Sequence, residues 1–568
     1  MSKPFFITTA IDYTNGAPHI GHAYEKVLAD VIARYHRLKG REVFFLTGVD
    51  QHGQKVQQSA EKQGIAPQEF VDGITQKFLA LWEKLDISHD RWAATTDPLH
   101  KKCVQRILQR LFDEGQLYKA KQGGHYSVRQ EQFLTDKERN EQGEFGPEWG
   151  EVEFREEENY YFKLAEHKDW LLALIDKRDD LVTPAFRRNE LRNAVERLAG
   201  DLCVSRPKSR LAWGIELPFD PDFVTFVWFD ALVNYISFAD YDPDPKAANK
   251  RFHELWPALH VIGKDIMIPA HGVYWPIMLK GLGFTDDQIP PLLVHGWWNS
   301  AGEKMSKTLG NVVDPAELIS LVSEKVEKAL VKQKEKDAGK GKPTLSDTEI
   351  AGIRDRCGTE SLRYYLVKEI TTGKDSDFSE KRLVQSYNTD LANGLGNLLN
   401  RTVNMAQLYR QGRLSVRHEV AGAPDYVSTV AAYRTQFEGI QRSVADPEFD
   451  KSTKVPAPAY TINLALGEAM SSATLCNQLI DTLAPWKLAK DPAQADLLDA
   501  VLYTLAESLR IIAILIAPVM PKAASGIFAQ LNWDKPFSLA DTTWGGLPDG
   551  HVVGQPFPLF PRIEEPKE

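Results

Sequence analysis

Phe5-Phe6-Ile7-Thr8-Thr9-Ala10 leads through Ile11-Asp12-Tyr13-Thr14 and the loop Asn15-Gly16-Ala17-Pro18 into His19-Ile20-Gly21-His22. The first six residues are apolar or β-branched, which suits a buried strand. Residues 22–38 carry helical periodicity, and a second apolar run at 42–49 lies between Gly40 and Gly53. Strand, loop, helix and strand in that succession predict a parallel βαβ crossover. His19 and His22 share one helical face. Gly21 leaves room for a nucleotide close to the backbone. A helix start there adds N–H donors and the positive end of the dipole, which suits polyphosphate. Neutral imidazoles can also donate to phosphate oxygens as negative charge moves onto pyrophosphate. Taken alone, the four residues also read as two surface histidines flanking a helix start.

The second chemical feature lies far downstream. Gly302 precedes Lys304-Met305-Ser306-Lys307-Thr308, followed by Leu309-Gly310-Asn311. Two lysines three apart beside a glycine make a mobile cationic loop able to close over a triphosphate. Between the two features, charges crowd at residues 151–158 and aromatics scatter, which predicts an inserted α+β module over 116–222. Apolar runs at 223–235 and 259–268 read as strands returning to a buried parallel sheet. The Lys-rich stretch 323–343 reads as a solvated helix running into a flexible loop. Its alternative is an additional phosphate contact. From 379 onward, periodic segments at 392–407, 460–484 and 497–516 predict a helical bundle.

Composition bounds the rest. The chain has 568 residues, 43% hydrophobic and 26% charged, the balance of a globular protein of three to four domains. Net charge is 68 − 78 = −10, so any nucleic-acid contact must be a local patch and not a basic coat. The longest apolar run, residues 511–520, contains Pro518 and is too short to span a bilayer. Met1-Ser2-Lys3-Pro4 leads directly into the first strand without a secretory signal, which predicts a cytoplasmic protein. The cysteines at 103, 203, 357 and 476 offer neither zinc spacing nor a disulfide framework.

With both motifs in this order, the chain resembles the class I aminoacyl-tRNA synthetases, with Thr308 where serine is usual. Further stretches are similar to the methionyl-tRNA synthetase family. These are residues 9–16, Thr47-Gly48-Val49-Asp50-Gln51-His52-Gly53, Phe226-Val227-Trp228-Phe229-Asp230-Ala231, His260-Val261-Ile262-Gly263-Lys264-Asp265 and Tyr274-Trp275-Pro276. In the helical part, residues 391–398 and Ala484-Pro485-Trp486 match as well, and the resemblance runs from residue 5 to 564.

The resemblance implies an α/β chain with a Rossmann-type parallel-sheet catalytic domain in two halves, 1–115 and 223–315. An α+β connective module (116–222) interrupts it, a linking stem (316–378) follows, and an α-helical anticodon-binding bundle (379–568) closes the chain. It implies a ligase that uses ATP with Mg²⁺ to form methionyl-adenylate and then charges tRNA(Met), the initiator tRNA included. His19, His22, Lys304 and Lys307 are the implied catalytic groups. Gly21, Gly263, Asp265 and Ser306 join them around ATP. The methionine pocket is implied at Ala10, Ile11, Tyr13, Asp50, Trp228, Ala231, Leu232, Tyr235, Ile266 and His271, with Asp50 on the α-ammonium. An apolar, aromatic-walled pocket also suits a thioether physically. Trp228 and Tyr235 alternatively read as plain core, and Asp50 as a turn residue. His271 stands six residues beyond Asp265, where the family's histidine stands five beyond. Asn397, Arg401 and Trp486 are the implied anticodon readers, Trp486 alternatively being bundle core. Many family members carry Cys-x-x-Cys zinc knuckles in the inserted module. Here Ser127 and Gln130 stand in their place, so no structural zinc is expected. No membrane association and no obligate protein partner are expected, and a monomer follows from the lack of a C-terminal extension.

Overall fold

The computed structural model describes residues 3–127, 132–134, 139–140, 142–244, 246–300, 302–305, 310–417 and 460–565. Four elements set the architecture: strands β1 (Phe5–Thr9) and β2 (Asp12–Tyr13), helix α1 (Ile20–Leu38) and strand β3 (Val43–Asp50). β1 is buried along its whole length and pairs in parallel with β3, Phe5 opposite Val43 and Thr8 opposite Leu46. The crossover expected from the sequence is therefore present.

On its other side β1 pairs with the strand Leu259–Gly263, which pairs with Leu292–His295. The seven-stranded sheet runs β2, β3, β1, Leu259–Gly263, Leu292–His295, Val182–Thr183, and β4 (Arg91–Ala94) pairs with β3. Every pairing in it is parallel. The chain turns to opposite sides of β1, so the carboxyl ends of β1 and its neighbour Leu259–Gly263 form the switch point where open α/β sheets hold ligands. Gly48 belongs to this packing, because a Cβ there would lie 2.0 Å from the Ala93 carbonyl oxygen.

Two sequence expectations need correction. Residues 223–235 do not return to the parallel sheet. Phe223 to Thr225 end an antiparallel strand, Asp220–Thr225, of a separate three-stranded sheet, and Val227–Ser237 is a helix. Residues 229–237 of that helix are buried throughout, so its apolar run carries no periodicity to separate it from a buried strand. The 259–268 run likewise keeps strand structure only to Gly263. Second, the 116–222 stretch is not one separate module. Its four-stranded sheet is built on Leu117–Ser127 against Val152–Phe162, but Val182–Thr183 joins the edge of the main sheet beside Leu292 and Leu293.

Beyond the lysine loop, helices Pro315–Ala338 and Asp347–Glu369 form a hairpin. The Lys-rich stretch is thus helical to Ala338. The return helix starts with a Ser346–Glu349 capping box, and Lys334 reaches Asp347 at 2.7 Å. The bundle contains Asn397–Arg410, Ile462–Leu483 and Ala495–Ile516, close to the expected segments. Arg363 locks bundle and sheet together. Fully buried, it donates to the Leu85, Pro518 and Val519 carbonyls and pairs with Asp30 of α1 at 2.7 Å. Among the described residues, no helix is long and apolar enough to cross a membrane.

Candidate active site

α1 begins at the carboxyl edge of the sheet, and His19 is its N-cap. His19 Nδ1 accepts the Gly21 N–H at 3.1 Å, while His22 Nδ1 accepts the His19 N–H at 3.1 Å. The two rings lie 3.8 Å apart. A neutral imidazole whose Nδ1 accepts must carry its proton on Nε2. Both signature histidines are thereby fixed in the same tautomer, each with an Nε2–H donor at a helix N-terminus. Gly21 allows this, since a Cβ there would come within 2.9 Å of the His19 ring.

The implied methionine-binding residues gather at the same edge. Trp228, Ala231, Leu232 and Tyr235 occupy i, i+3, i+4 and i+7 of the helix Val227–Ser237, one face of it. Trp228 is half-buried, which sets aside the plain-core reading for it, while Tyr235 is buried. The Tyr235 hydroxyl sits 2.7 Å from His271 Nε2, and His271 Nδ1 sits 3.0 Å from the Ile266 carbonyl. The carbonyl can only accept, so Nδ1 donates to it and Nε2 accepts the tyrosine hydroxyl. Burial pushes the His271 imidazole down to about 4, so it stays neutral at pH 7. Tyr235 also lies 4.1 Å from the His260 ring, which is held by Thr8 Oγ1 at 2.6 Å and by the Trp275 indole N–H at 3.1 Å. His271 lies in a wide π-type turn over Met267–Tyr274.

Ala10 and Ile11 follow β1, Tyr13 lies in β2, and Asp50 closes β3 with its side chain buried. Gly263 ends its strand, where a Cβ would lie 2.7 Å from Asp265 Oδ1. Lys304 pairs through its backbone with Asn299 in a short hairpin beside Ser376–Phe378. Its side chain, Ser306 and Lys307 lie outside the described residues.

Several buried polar residues at the site carry no signal that sequence spacing could assign. Asp230, fully buried between Phe229 and Ala231, accepts from His52 at 2.7 Å and from His100 at 2.8 Å. Burial pushes its carboxyl up, but the two histidines outweigh that and hold it down at about 2. His52 and Asp230 stand within the family-like stretches quoted above, yet only the fold shows them meeting. Lys26, Glu25 and Asp12 form a second buried group, joined by His295.

At the far end of the bundle, Asn397, Arg401 and Trp486 come together. Asn397 reaches Asn477 at 3.5 Å, Arg401 pairs with Asp481 at 2.8 Å, and its guanidinium lies 5.8 Å from the Trp486 ring. Trp486 is 40% exposed, so it is not bundle core.

The family model described as "tRNA synthetases class I (M)" matches residues 5–143, 149–330 and 346–403. The methionine–tRNA ligase of Deinococcus radiodurans is 39% identical over 569 residues, covering 99% of this chain and 75% of that protein. The Nostoc sp. ligase is 36% identical, covering 100% of this chain and 98% of its own length. The chain belongs to the methionyl-tRNA synthetase family. Among solved structures, Mycobacterium tuberculosis methionyl-tRNA synthetase in complex with methionyl-adenylate superposes with a TM-score of 0.82 at 34% identity, over 99% of this chain and 100% of that one. The apo form of the same mycobacterial synthetase gives 0.77 at 32%. The synthetase therefore joins methionine to tRNA in two steps, through methionyl-adenylate and pyrophosphate. Its α/β catalytic fold and helical bundle are those of the family.

Proposed function

We propose that the groups gathered at the sheet's carboxyl edge divide the adenylation step between them. The Asp50 carboxylate holds the methionine α-ammonium, and Trp228, Ala231, Leu232, Tyr235 and Ile266 enclose the thioether. His271, kept neutral, fixes the Tyr235 hydroxyl so that no unpaired donor faces the apolar side chain. A methionine carboxylate oxygen attacks the α-phosphorus of ATP, and the bond to the β-phosphate oxygen breaks with its electron pair leaving on pyrophosphate. His19 and His22 donate their Nε2–H to phosphate oxygens as that charge develops. Lys304 and Lys307 close over the triphosphate, with Ser306 alongside. Gly263 and Asp265 border the nucleoside. The step needs positioning and charge neutralisation, with no protein nucleophile. The terminal hydroxyl of the tRNA then attacks the adenylate carbonyl carbon, and AMP leaves.

The observation that carries this reading is the shared tautomer of His19 and His22, which puts two donors at the N-terminus of α1. Mg²⁺ would accompany ATP and offset part of the triphosphate charge. Among the described residues no group of three or more histidines, cysteines or carboxylates could hold a metal ion. The module lacks zinc knuckles at Ser127 and Gln130 and is held by packing, with the Arg155 and Arg210 guanidiniums over the buried Tyr126 ring at 4.6 and 4.2 Å. Asn397, Arg401 and Trp486 read the anticodon of tRNA(Met) and initiator tRNA, in the cytoplasm and without an obligate protein partner.

The experiment is a kinetic split. Asp50→Asn should raise the methionine KM by about tenfold or more and leave the ATP KM near wild type. His19→Asn should instead lower kcat of methionine-dependent ATP–pyrophosphate exchange by about 10²-fold. If Asp50→Asn changed only the ATP KM, the assignment of the two halves of the site would be wrong.

A further inference from the structure

Beneath the signature turn lies a group of buried charges with no part in the scheme above. Lys26, two turns into α1, is fully buried. Its ammonium donates to the Ala10 carbonyl at 3.0 Å, to Asp12 Oδ1 at 2.7 Å and to Glu25 Oε1 at 2.9 Å. An ammonium has three N–H donors, so each is engaged. Glu25 Oε2 in turn lies 3.1 Å from His295 Nε2, whose ring contacts the Gly296 carbonyl through Nδ1 at 2.8 Å. The unbalanced member is Asp12. Its Oδ1 also lies 4.0 Å from His22 Nε2, and its Oδ2 is buried with no hydrogen-bond partner. A buried carboxylate with an unmatched oxygen is costly and calls for an explanation. His22 holds its proton on Nε2, the atom nearest that carboxylate. The oxygen facing it is Oδ1, which Lys26 already holds, so the contact to His22 is one of charge and not a hydrogen bond.

We propose that Asp12, held by Lys26, is a positioning residue for His22. Its charge, 4.0 Å from Nε2 and outside hydrogen-bond range, favours the proton on Nε2 and turns that edge of the ring toward the site without taking the hydrogen bond that Nε2–H gives to phosphate. A carboxylate that fixes the tautomer and orientation of a working imidazole is a general device. Lys26 offsets the charge of Asp12, so the triphosphate does not meet a bare carboxylate beside its binding group. The same ammonium anchors the Ala10 carbonyl, where the methionine pocket begins, so one cation ties the two substrate sites together.

The groups that face Asp12 come from several elements. Lys26, Glu25 and His22 lie on α1, with the His19 ring against His22. Tyr235 of the pocket helix feels the charges of Asp12 and Glu25, and His295 stands behind Glu25. Burial pushes the Asp12 carboxyl up to about 7 against the pull of Lys26, which puts its change of charge within the assay range.

The inference rests on His22 acting on the triphosphate, so Asp12→Asn, His22→Asn and their combination are compared. The readouts are methionine-dependent ATP–pyrophosphate exchange over pH 6–8 and thermal stability. Asp12→Asn should lower kcat by about tenfold with the methionine KM within about twofold, as expected for an orienting partner. Its pH profile should lose the change near pH 7 that Asp12 contributes. The double variant should be no slower than His22→Asn alone, because the two act as a unit. Lys26→Met should lose both stability and activity, and adding Asp12→Asn should restore part of the stability, by removing an unpaired carboxylate, but not the activity. An Asp12→Asn enzyme with wild-type kcat and pH profile would overturn the inference whatever its melting temperature, and so would multiplicative losses in the double variant. Impaired His22→Asn beside normal Asp12→Asn defeats this inference alone. Wild-type exchange by His22→Asn defeats the reading of His22 as well.

Discussion

Truncating Trp486 to alanine should separate recognition of tRNA from formation of the adenylate. The indole is 40% exposed on the short helix Pro485–Leu488, with the Arg401 guanidinium 5.8 Å from its ring. Arg401 keeps its 2.8 Å pair with Asp481 in the variant, so the principal loss is an aromatic face. A base stacked on such a face is worth about 1–3 kcal/mol, which converts to roughly 5- to 150-fold in kcat/KM for tRNA. A ring this exposed leaves no sealed cavity behind. The stability cost should stay near 0.5 kcal/mol, a melting-temperature change of about 2 °C or less. Methionine-dependent exchange should match wild type, because the adenylation site lies at the sheet edge of another domain. Trp486→Phe should recover most of the charging rate by restoring a ring. The assay is aminoacylation against tRNA concentration beside exchange and a thermal melt. Unchanged kcat/KM for tRNA with a fall of several degrees in melting temperature would refute the anticodon role.

Three further outcomes are expected. Arg363→Met removes one of the two guanidiniums on the buried Asp30 carboxylate, leaving Arg34 at 2.8 Å, and strips the Leu85, Pro518 and Val519 carbonyls of their donor, which should cost about 1–3 kcal/mol and show as a lower unfolding temperature; an unchanged melt would mean that Arg363 does not join the domains. His271 has its imidazole depressed to about 4 from an ordinary 6.5, so the unfolded chain binds its proton first on acidification. The stability this contributes is complete above about pH 6.5 and is lost as pH falls through about 4. His271→Gln should therefore melt with a weaker pH dependence between 4 and 7, and identical dependences would contradict the assignment. Purified protein should hold no stoichiometric zinc and keep its melting temperature in chelator; close to one zinc per chain by elemental analysis would show that residues near Ser127 and Gln130 form a site after all.

How much of this is legible in the sequence depends on whether a residue acts through local spacing or through a distant partner. The place of His19 and His22 at a helix start is readable because it follows from a strand, a glycine loop and a helical run within a few residues. Their tautomers are not, since these depend on N-cap geometry. Trp228, Ala231, Leu232 and Tyr235 share a helical face, but the run holding them is apolar on all sides and suggests a strand. Lys26 and Glu25 look like solvated charges on α1. Only the pairing of β1 with β2's neighbour β3 and with Leu259–Gly263 brings Asp12, Ala10 and His295 around them. The His52–Asp230–His100 group spans three parts of the chain, and no local spacing foretells it. Likewise Val182–Thr183 is too short a strand to announce that it leaves the inserted sheet for the main one.

The most direct test of the central claim is ATP–pyrophosphate exchange measured with each amino acid in turn. Methionine should drive exchange, and leucine, isoleucine, valine and cysteine should support it at least about 10²-fold less well in kcat/KM, as a pocket shaped for a thioether requires. The same preparation should then charge tRNA(Met) with methionine. Exchange driven equally by another amino acid, or no exchange with methionine, would contradict the assignment of this site.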